Sequence, residues 1–241
     1  MIHAAPNSHP TENQILDSLN KADYQYLFGE LERVSVVRGH VVYEADSPID
    51  YVYFPGTAVF SILATMEDGR TVEIGPVGRE GLVGLRVFLG ADDSPDRVIV
   101  HMAGSAMRVK ASVLKSELTT SSNALSKKLI RYTQMLLTMT GRTGACNKLH
   151  SLQQQLARWL LTMNDYAHGD LALTHELIAL TLGVRRAGVS ETAIGLKNSG
   201  LINYQRGDIR IVDETALEAI ACECYRIIKE EYQDLFTDLA R

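Results

Sequence analysis

Two adjacent arginines and the polar residues that follow them have the clearest capacity for recognition chemistry. Arg185 and Arg186 are followed, one helical turn later, by Ser190 and Glu191. A guanidinium can donate two parallel hydrogen bonds to O6 and N7 of guanine, and a carboxylate can accept one from N4 of cytosine. This chemistry requires the side chains to lie near the start of one helix, so the surrounding elements decide whether it is available.

The flanking sequence predicts two helices joined by a tight turn. Thr174 is a suitable N-cap for a helix to about Leu182, and Gly183 permits the left-handed backbone of a turn. A second helix is predicted from about Arg185 to Asn198, ending at Gly200. Small and apolar residues that could fill the seam between these helices are Ile178, Ala179, Leu182, Val184, Val189, Ala193 and Leu196. This pattern is typical of a helix-turn-helix.

A β-hairpin is predicted directly after the second helix. Apolar residues alternate on both sides of Arg206-Gly207, at Ile202, Tyr204, Ile209 and Ile211. A helix-turn-helix followed at once by such a wing indicates DNA binding. Lys197 and Arg206 are then expected to contact phosphates, as are Thr174 and His175 at the start of the first helix. The alternative is that the helical pair and the hairpin only pack together.

The charge of the chain restricts how it can bind DNA. The formal net charge of −5 argues against a protein coated in basic charge, such as a histone-like binder. Residues 149–213 carry six Lys and Arg and six Asp and Glu, so the predicted winged region is about neutral. We therefore expect weak non-specific affinity for DNA, with recognition depending on local contacts.

The first half of the chain has the texture of a small β domain. Residues 34–113 alternate short apolar runs with turn signals, among them Asp68-Gly69. The predicted strands include His40–Glu44, Tyr51–Phe54, Val59–Thr65, Thr71–Ile74 and Val98–Met102. A helix is predicted before them, over Asn13–Leu31, from apolar residues at three- and four-residue spacing. We expect an N-terminal, jelly-roll-like β-roll over residues 13–120.

A long helix is predicted to connect the two halves. An apolar stripe with spacings of four, three, four and three consists of Leu125, Leu129, Tyr132, Leu136 and Met139. This pattern favours a dimerisation helix over residues 121–147 with the stripe in the dimer interface. An amphipathic helix packed on its own domain is the alternative. The predicted architecture is α+β: the β-roll, the long helix, a winged helix-turn-helix over 148–213 and a C-terminal helix over 214–241.

Other sites and classes of protein have little support. Three cysteines are too few for a disulfide framework or for a four-thiolate iron–sulfur cluster. Cys222 and Cys224 fall within the predicted C-terminal helix, where residues two apart point in different directions, so no metal site is expected. No spacing of residues supports catalysis, and an enzyme is not expected. Without a signal peptide or a membrane-length apolar run, the protein is expected in the cytoplasm, with no membrane partner.

The order of these parts resembles the CRP/FNR family of bacterial transcription regulators. The resemblance covers residues 13–212 and is most specific at Leu173-Thr174, Leu182-Gly183, Arg186, Val189 and Leu201-Ile202. It implies a cyclic-nucleotide-binding-like sensor domain and a homodimer that binds an inverted repeat in double-stranded DNA and contacts RNA polymerase. It also places Arg186 where the family has a guanine-reading arginine.

Two departures from the family indicate a different specificity. Well-known members carry a glutamate and a second arginine where this chain has Ala187 and Glu191, so the operator is expected to differ. In the sensor, the residues that resemble an effector pocket are Gly81, Gly84 and Arg97. Leu85 and Val98 replace a glutamate and a hydroxyl of the cyclic-nucleotide cassette, which disfavours cyclic AMP and leaves the effector unknown. A roll without any ligand is the alternative.

Two functions therefore follow from the sequence. The leading hypothesis is a homodimeric, sequence-specific transcription regulator controlled by a signal sensed in the β-roll. The second is a ligand-sensing regulatory protein whose winged helix docks a protein partner, a possibility favoured by the neutral charge of that region.

Overall fold

The computed structural model describes residues 4–5, 11–21, 24–120, 124–166, 171, 173–205 and 208–237. They form two compact units. The first lies within residues 1–65, 74–137 and 232–241, and the second lies within residues 66–73 and 138–231. The boundary between the units falls within the long central helix, which the sequence analysis treated as a separate segment. The domain boundaries drawn from the sequence stay a prediction.

Short antiparallel strands dominate the N-terminal half. They are β1 (Ala4–Ala5), β2 (Glu32–Val36), β3 (Val41–Tyr43), β4 (Ser47–Pro48), β5 (Tyr51–Pro55), β6 (Val59–Thr65), β7 (Thr71–Val77), β8 (Asp93–Ser94), β9 (Arg97–Met102) and β10 (Gly104–Lys110). One four-stranded sheet has the order β1-β2-β10-β5, another has the order β3-β9-β6-β7, and β4 pairs with β8. In register, Ala106 faces Val34 and Pro55, and Phe60 faces Val100. The predicted sheet-rich N-terminal domain is confirmed.

Helices pack on these sheets. They are α1 (Gln14–Asp17), α2 (Gln25–Glu30), α3 (Leu85–Phe88), α4 (Ala111–Thr120) and α5 (Ala124–Leu149). The single helix predicted over Asn13–Leu31 was wrong, because two short helices occupy that segment. Asn13 fixes the first helix: its Oδ1 accepts from the N–H groups of Ile15 and Leu16, and its Nδ2 donates to the carbonyls of Pro55 and Gly81.

The apolar stripe of α5 serves the core of the chain itself. Leu125, Leu129 and Tyr132 are fully buried in the core of the first unit, and Leu136 packs against that core. Met139 is also buried. The predicted dimer interface is therefore wrong for Leu125, Leu129 and Tyr132, and it stays a prediction for Leu136 and Met139. Heptad spacing marks a buried stripe but does not identify its partner.

A different side of α5 is open. Ile130 and Leu137 are seven residues apart and are 56% and 70% exposed. Two large apolar side chains at heptad spacing are the pattern that a helix uses to pair with another helix.

The second unit holds the C-terminal elements. They are α6 (Leu152–Tyr166), α7 (His175–Leu182), α8 (Arg186–Asn198), β11 (Ile202–Gln205), β12 (Asp208–Ile211), α9 (Glu214–Ile220) and α10 (Cys224–Thr237). The two helices and the hairpin predicted for the winged region are confirmed. The single C-terminal helix was wrong, because Ala221 adopts an extended backbone (φ −69°, ψ 160°) and separates α9 from α10. Within the described residues, no helix combines the length and apolarity that a membrane crossing would need.

Candidate nucleic-acid interface

The turn between α7 and α8 is fixed by caps at both ends of α7. The Oγ1 of Thr174 accepts a hydrogen bond from the N–H of Leu177 at 3.2 Å. Gly183 takes the left-handed conformation (φ 65°) at the C-terminus, and the N–H of Val184 donates to the carbonyl of Ala179 at 3.0 Å. Because these bonds close the helix end, the chain can reverse direction within three residues and begin α8.

One face of α8 anchors the helix in the second unit. Val189, Ala193 and Leu196 are buried. Gly188 lies so close to α6 that a Cβ on it would stand 3.1 Å from Cδ2 of Leu152, tighter than an ordinary contact. Gly200 (φ 74°) ends the helix.

The wing follows immediately and consists of two strands with one single-residue bridge beside them. In β11 and β12, Ile202 faces Ile211 and Tyr204 faces Ile209. Leu171 joins as a third, single-residue partner, since Leu171 and Ile209 exchange both backbone hydrogen bonds at 2.8 and 2.9 Å. Arg206, predicted to contact phosphate, lies outside the described residues.

The opposite face of α8 presents a row of side chains suited to a DNA groove. Arg186, Ala187, Glu191 and Ile194 are exposed, and Ser190 is half-buried among them. Arg185 is also exposed and is the N-cap residue just before the helix. The structure thus brings together, at the N-cap and in the first two turns of α8, the residues that the sequence predicted to contact bases.

Ile194 is a residue of this face that the sequence analysis missed. It is 57% exposed, one turn after Ser190 and two turns after Arg186. An apolar side chain at this place can contact the methyl group of thymine. The available signal was its four- and eight-residue spacing from the polar readers.

Arg186 is held by a weak ion pair. Its Nε lies 3.6 Å from Oε2 of Glu176, and the two side chains are 69% and 77% exposed. Exposed pairs of this kind contribute at most about 1 kcal/mol, which is less than a bidentate contact to guanine can return. Glu176 therefore orients Arg186 without preventing it from binding a base.

His175 connects three elements beside this face. Its Nδ1 and the Oγ of Ser190 lie 2.9 Å apart in a hydrogen bond, and its ring stacks on Tyr204 with centroids 4.3 Å apart. Burial, together with the positive charge of Arg186, lowers the pKa of His175, so the ring is neutral near pH 7. A neutral, stacked ring positions Ser190 and the wing, and its predicted phosphate contact stays a prediction.

Lys197 is also directed to the wing. Its Nζ donates to the backbone carbonyl of Tyr204 at 3.2 Å while the side chain stays exposed. Contacts of Lys197 and Thr174 with phosphates stay predictions.

The two glycines predicted for an effector pocket in the first unit are closely packed. A Cβ at Gly81 would collide with the Tyr132 hydroxyl, and one at Gly84 (φ 94°) would stand 2.9 Å from the Tyr43 hydroxyl. The N–H of Leu82 bonds to the Tyr132 hydroxyl, and burial raises the pKa of this tyrosine. The glycine turn is therefore filled by tyrosines of the chain itself.

Arg97 forms an ion pair at the surface. Its Nε lies 3.1 Å from Oε2 of Glu44, and the two side chains are 43% and 64% exposed. The effector pocket over Gly81, Gly84 and Arg97 stays a prediction.

The geometry of the second unit defines a winged helix-turn-helix DNA-binding domain. In agreement, residues 154–220 match the model of the Crp-like helix-turn-helix domain. No curated protein matches the sequence at a significant level.

Solved structures extend the likeness to about 80% of the chain. FixK2 from Bradyrhizobium japonicum is 19% identical, with a TM-score of 0.69 over 80% of this chain and 98% of that chain. A CRP/FNR-family regulator from Thermus thermophilus, TTHA1359, is 20% identical, with a TM-score of 0.65 over 79% and 98%. CLP from Xanthomonas campestris, described as a c-di-GMP-responsive global regulator, is 15% identical, with a TM-score of 0.64 over 80% and 100%. The chain has the fold of CRP/FNR transcription regulators and carries their type of DNA-binding domain, as the sequence resemblance implied.

Proposed function

We propose that this protein is a homodimeric transcription regulator that reads an inverted repeat in double-stranded DNA through α8. The observation that carries the proposal is the exposed face of α8, where Arg186, Ser190, Glu191 and Ile194 stand side by side. Hydrogen-bonding and apolar groups are combined there at the spacing with which a helix follows base edges in the major groove.

The sequence of this face differs from that of well-known CRP/FNR members, which supports an operator different from theirs. Arg186 is placed to read guanine, Glu191 to accept from cytosine, and Ile194 to contact a thymine methyl. Ala187 between them offers only a small apolar surface. The cytoplasm, where DNA is accessible, is the corresponding location.

Selection on a random duplex library, followed by salt titration on the enriched sequence, tests this proposal. We expect an enriched inverted repeat whose half-site centres are about 34 Å apart, and an affinity that falls as salt rises. Arg186→Ala should cost about 1–3 kcal/mol on that site and relax the preference at one base pair. Arg226→Ala, at an exposed arginine of α10 paired with Glu230, is the matched control and should bind normally.

Failure of the selection at low salt would contradict DNA reading. If the purified protein then formed a stable complex with another protein through the α7–α8 face, the docking hypothesis would replace it.

Dimer formation is proposed to use Ile130 and Leu137 on the open side of α5. Leu137→Glu places a charge in a surface that would be buried, and we expect the dimer to dissociate in analytical ultracentrifugation. Leu89→Glu is the control, since Leu89 is 58% exposed in the first unit and lies away from α5 in sequence. A Leu137→Glu protein that remains a dimer would exclude this helix face.

The sensor role is proposed for the first unit as a whole, with its effector unidentified. A regulator of this fold needs a signal that favours one of two states of the dimer. The filled glycine turn argues against cyclic AMP in the state described, so an effector would have to displace Tyr132 or bind elsewhere on the β-roll. Contact with RNA polymerase is part of the same proposal.

A further inference from the structure

A compact group of sulfur and nitrogen ligands lies in the second unit, outside the α8 face. One ligand atom each from Cys146, His150, Cys222 and Cys224 lies within 4.8 Å of every other. The Sγ atoms of Cys146 and Cys222 are 3.4 Å apart, and the Sγ of Cys224 is 3.9 Å from Nδ1 of His150. The three cysteines are buried and the histidine is half-buried.

Two distant segments of the chain build this cluster. Cys146 and His150 are four residues apart at the C-terminal end of α5, so they lie on one face of the chain there. The N–H of His150 donates to the carbonyl of Cys146 at 3.0 Å, and Nε2 of Gln155 donates to the carbonyl of His150 at 2.8 Å. These bonds hold the end of the helix and the ring that follows it.

The second segment is the junction between α9 and α10. Cys222 precedes α10, and Cys224 is its first residue. The sequence-based argument that these two thiols diverge assumed one continuous helix, and the extended backbone at Ala221 removes that assumption. Both thiols therefore face the end of α5.

The histidine is oriented as a metal-ligating histidine is. Its Nε2 lies 3.3 Å from Oε2 of Glu223, while its Nδ1 faces the sulfur of Cys224. Histidines that bind metals usually donate their other ring N–H to a carboxylate or carbonyl, which fixes the tautomer and aims the free nitrogen. Glu223 lies between the two cysteines in sequence, so one short segment supplies two ligands and this support.

Charge around the cluster fits a cation bound by three thiolates. Such a site with a divalent ion has one net negative charge. Arg158 is buried, its Nε has no hydrogen-bond partner among the described residues, and its positive charge reaches the Cys146 thiol. A positive charge that acts on the Cys146 sulfur would partly offset the net negative charge of a three-thiolate site.

We propose that Cys146, His150, Cys222 and Cys224 bind one Zn²⁺ ion as a structural Cys₃His site. Zinc–sulfur bonds of about 2.3 Å in a tetrahedron place ligand atoms about 3.8 Å apart. The sulfur–sulfur distance of 3.4 Å and the sulfur–nitrogen distance of 3.9 Å lie on either side of that value. Binding would release the thiol protons to solvent. With four protein ligands the coordination is complete, so the ion has no open position for chemistry.

The same atoms fit two other uses less well. A disulfide between Cys146 and Cys222 would not account for the buried Cys224 or for the orientation of the His150 ring toward it. An iron–sulfur cluster distributes its ligands over several iron atoms, whereas these four ligand atoms converge on one point.

Zinc at this position would join the α9–α10 junction to the end of α5. The clamp would stabilise the part of the second unit behind the winged helix without touching the face that reads DNA. The inference is thus independent of the proposed function.

The experiment is metal analysis of the full-length protein purified under reducing conditions and titrated with Zn²⁺. We expect one tightly bound zinc per chain, and a lower melting temperature after removal of the metal by a chelator. Co²⁺ in place of zinc should give the intense bands of a tetrahedral, thiolate-rich site. Cys224→Ser and His150→Asn should lose the metal, and His40→Asn, at an exposed histidine in the first unit, should keep it.

Glu223→Gln gives a milder test should the ligand variants fail to fold. It keeps all four ligands and should weaken zinc binding by roughly 10–100-fold through loss of the carboxylate behind His150. Glu218→Gln, an exposed glutamate of α9, is the matched control and should bind zinc normally. Reduced thiols that bind no zinc, a Cys146–Cys222 disulfide in the native protein, or bound iron with visible absorption would each overturn the zinc site.

Discussion

Two histidine–serine pairs, one in each unit, have the same geometry and serve different purposes. In the first unit, His101 on β9 and Ser61 on β6 lie 2.9 Å apart, and the histidine is 2% exposed. In the second, His175 and Ser190 are also 2.9 Å apart but stand beside the exposed face of α8. The hydrogen-bond length is the same in both, but the first pair belongs to the core and the second lies beside the surface proposed to bind DNA.

The difference also appears in how each histidine titrates. Burial, with a smaller contribution from Arg38, lowers the pKa of His101 to about 4. The pKa of His175 is lowered too, by partial burial and by Arg186, a residue of the binding face itself. Protonation of the buried pair is therefore linked to folding, whereas protonation of the surface pair would be linked to the DNA binding proposed for α8.

The largest expected effect is on folding at low pH. Because the pKa of His101 in the folded protein lies below its ordinary value of 6.5, the unfolded chain takes up the proton first. The stability due to neutral His101 is complete above pH 6.5 and is lost as pH falls to about 4. We expect this residue to account for about 3 kcal/mol of that loss.

Denaturant unfolding at several pH values measures this effect. His101→Asn should flatten the fall of unfolding free energy between pH 6.5 and 4, and His40→Asn should leave it unchanged. If unfolding free energy fell equally steeply with pH in the wild type and both variants, residues other than His101 would cause the acid sensitivity.

A smaller effect is expected when the surface pair is removed. His175→Ala eliminates the bond to Ser190 and the stack on Tyr204, each worth about 1 kcal/mol. Because both contacts are internal, the unfolding free energy should fall by about 1–2 kcal/mol. Affinity for the selected operator, measured by fluorescence anisotropy, should fall as well, because Ser190 and the wing lose the side chain that positions them. If only the unfolding free energy fell and affinity stayed the same, His175 would belong with the core histidine, and the contrast between the units would fail.

The smallest expected effect concerns Ile194. Ile194→Ala should change unfolding free energy by less than about 0.5 kcal/mol, because the side chain is mostly exposed. Affinity should fall by about 0.5–1 kcal/mol and only on operators with thymine at the contacted position. Competition binding between operators that differ at that base pair measures this effect. If Ile194→Ala weakened binding equally to all of them, Ile194 would not contact a base.

Sequence reasoning succeeded where structure is determined locally. Thr174, Gly183 and Gly200 are caps whose roles depend on a few neighbouring residues, and all three stand where they were predicted. The same holds for the alternating residues of the wing. Local rules were enough to locate the winged domain and the face of α8.

It failed where the partner of a residue lies far along the chain. The spacing of Leu125, Leu129 and Tyr132 predicted a buried stripe correctly, but periodicity cannot distinguish a second chain from a sheet of the same chain. Gly81 resembles part of a ligand cassette in sequence, but Tyr132 of α5, which is distant in sequence, fills the space at its turn. The cysteine–histidine cluster was missed because its halves are more than 70 residues apart and a helix break at Ala221 was not foreseen.

The close approach of Gly188 to α6 bears on how such a protein changes over evolution. On α8, the residues that hold the helix in place, Gly188, Val189, Ala193 and Leu196, are separate from those that face outward. Under the proposed function, substitutions at the outward positions would alter the recognised sequence at little cost to folding, whereas a Cβ at Gly188 would require the Leu152 side chain to move by a few tenths of an ångström. If the proposed function holds, gene duplicates of this protein can diverge to new operators quickly, and the same outward positions are the ones to randomise in a library for redesigned specificity.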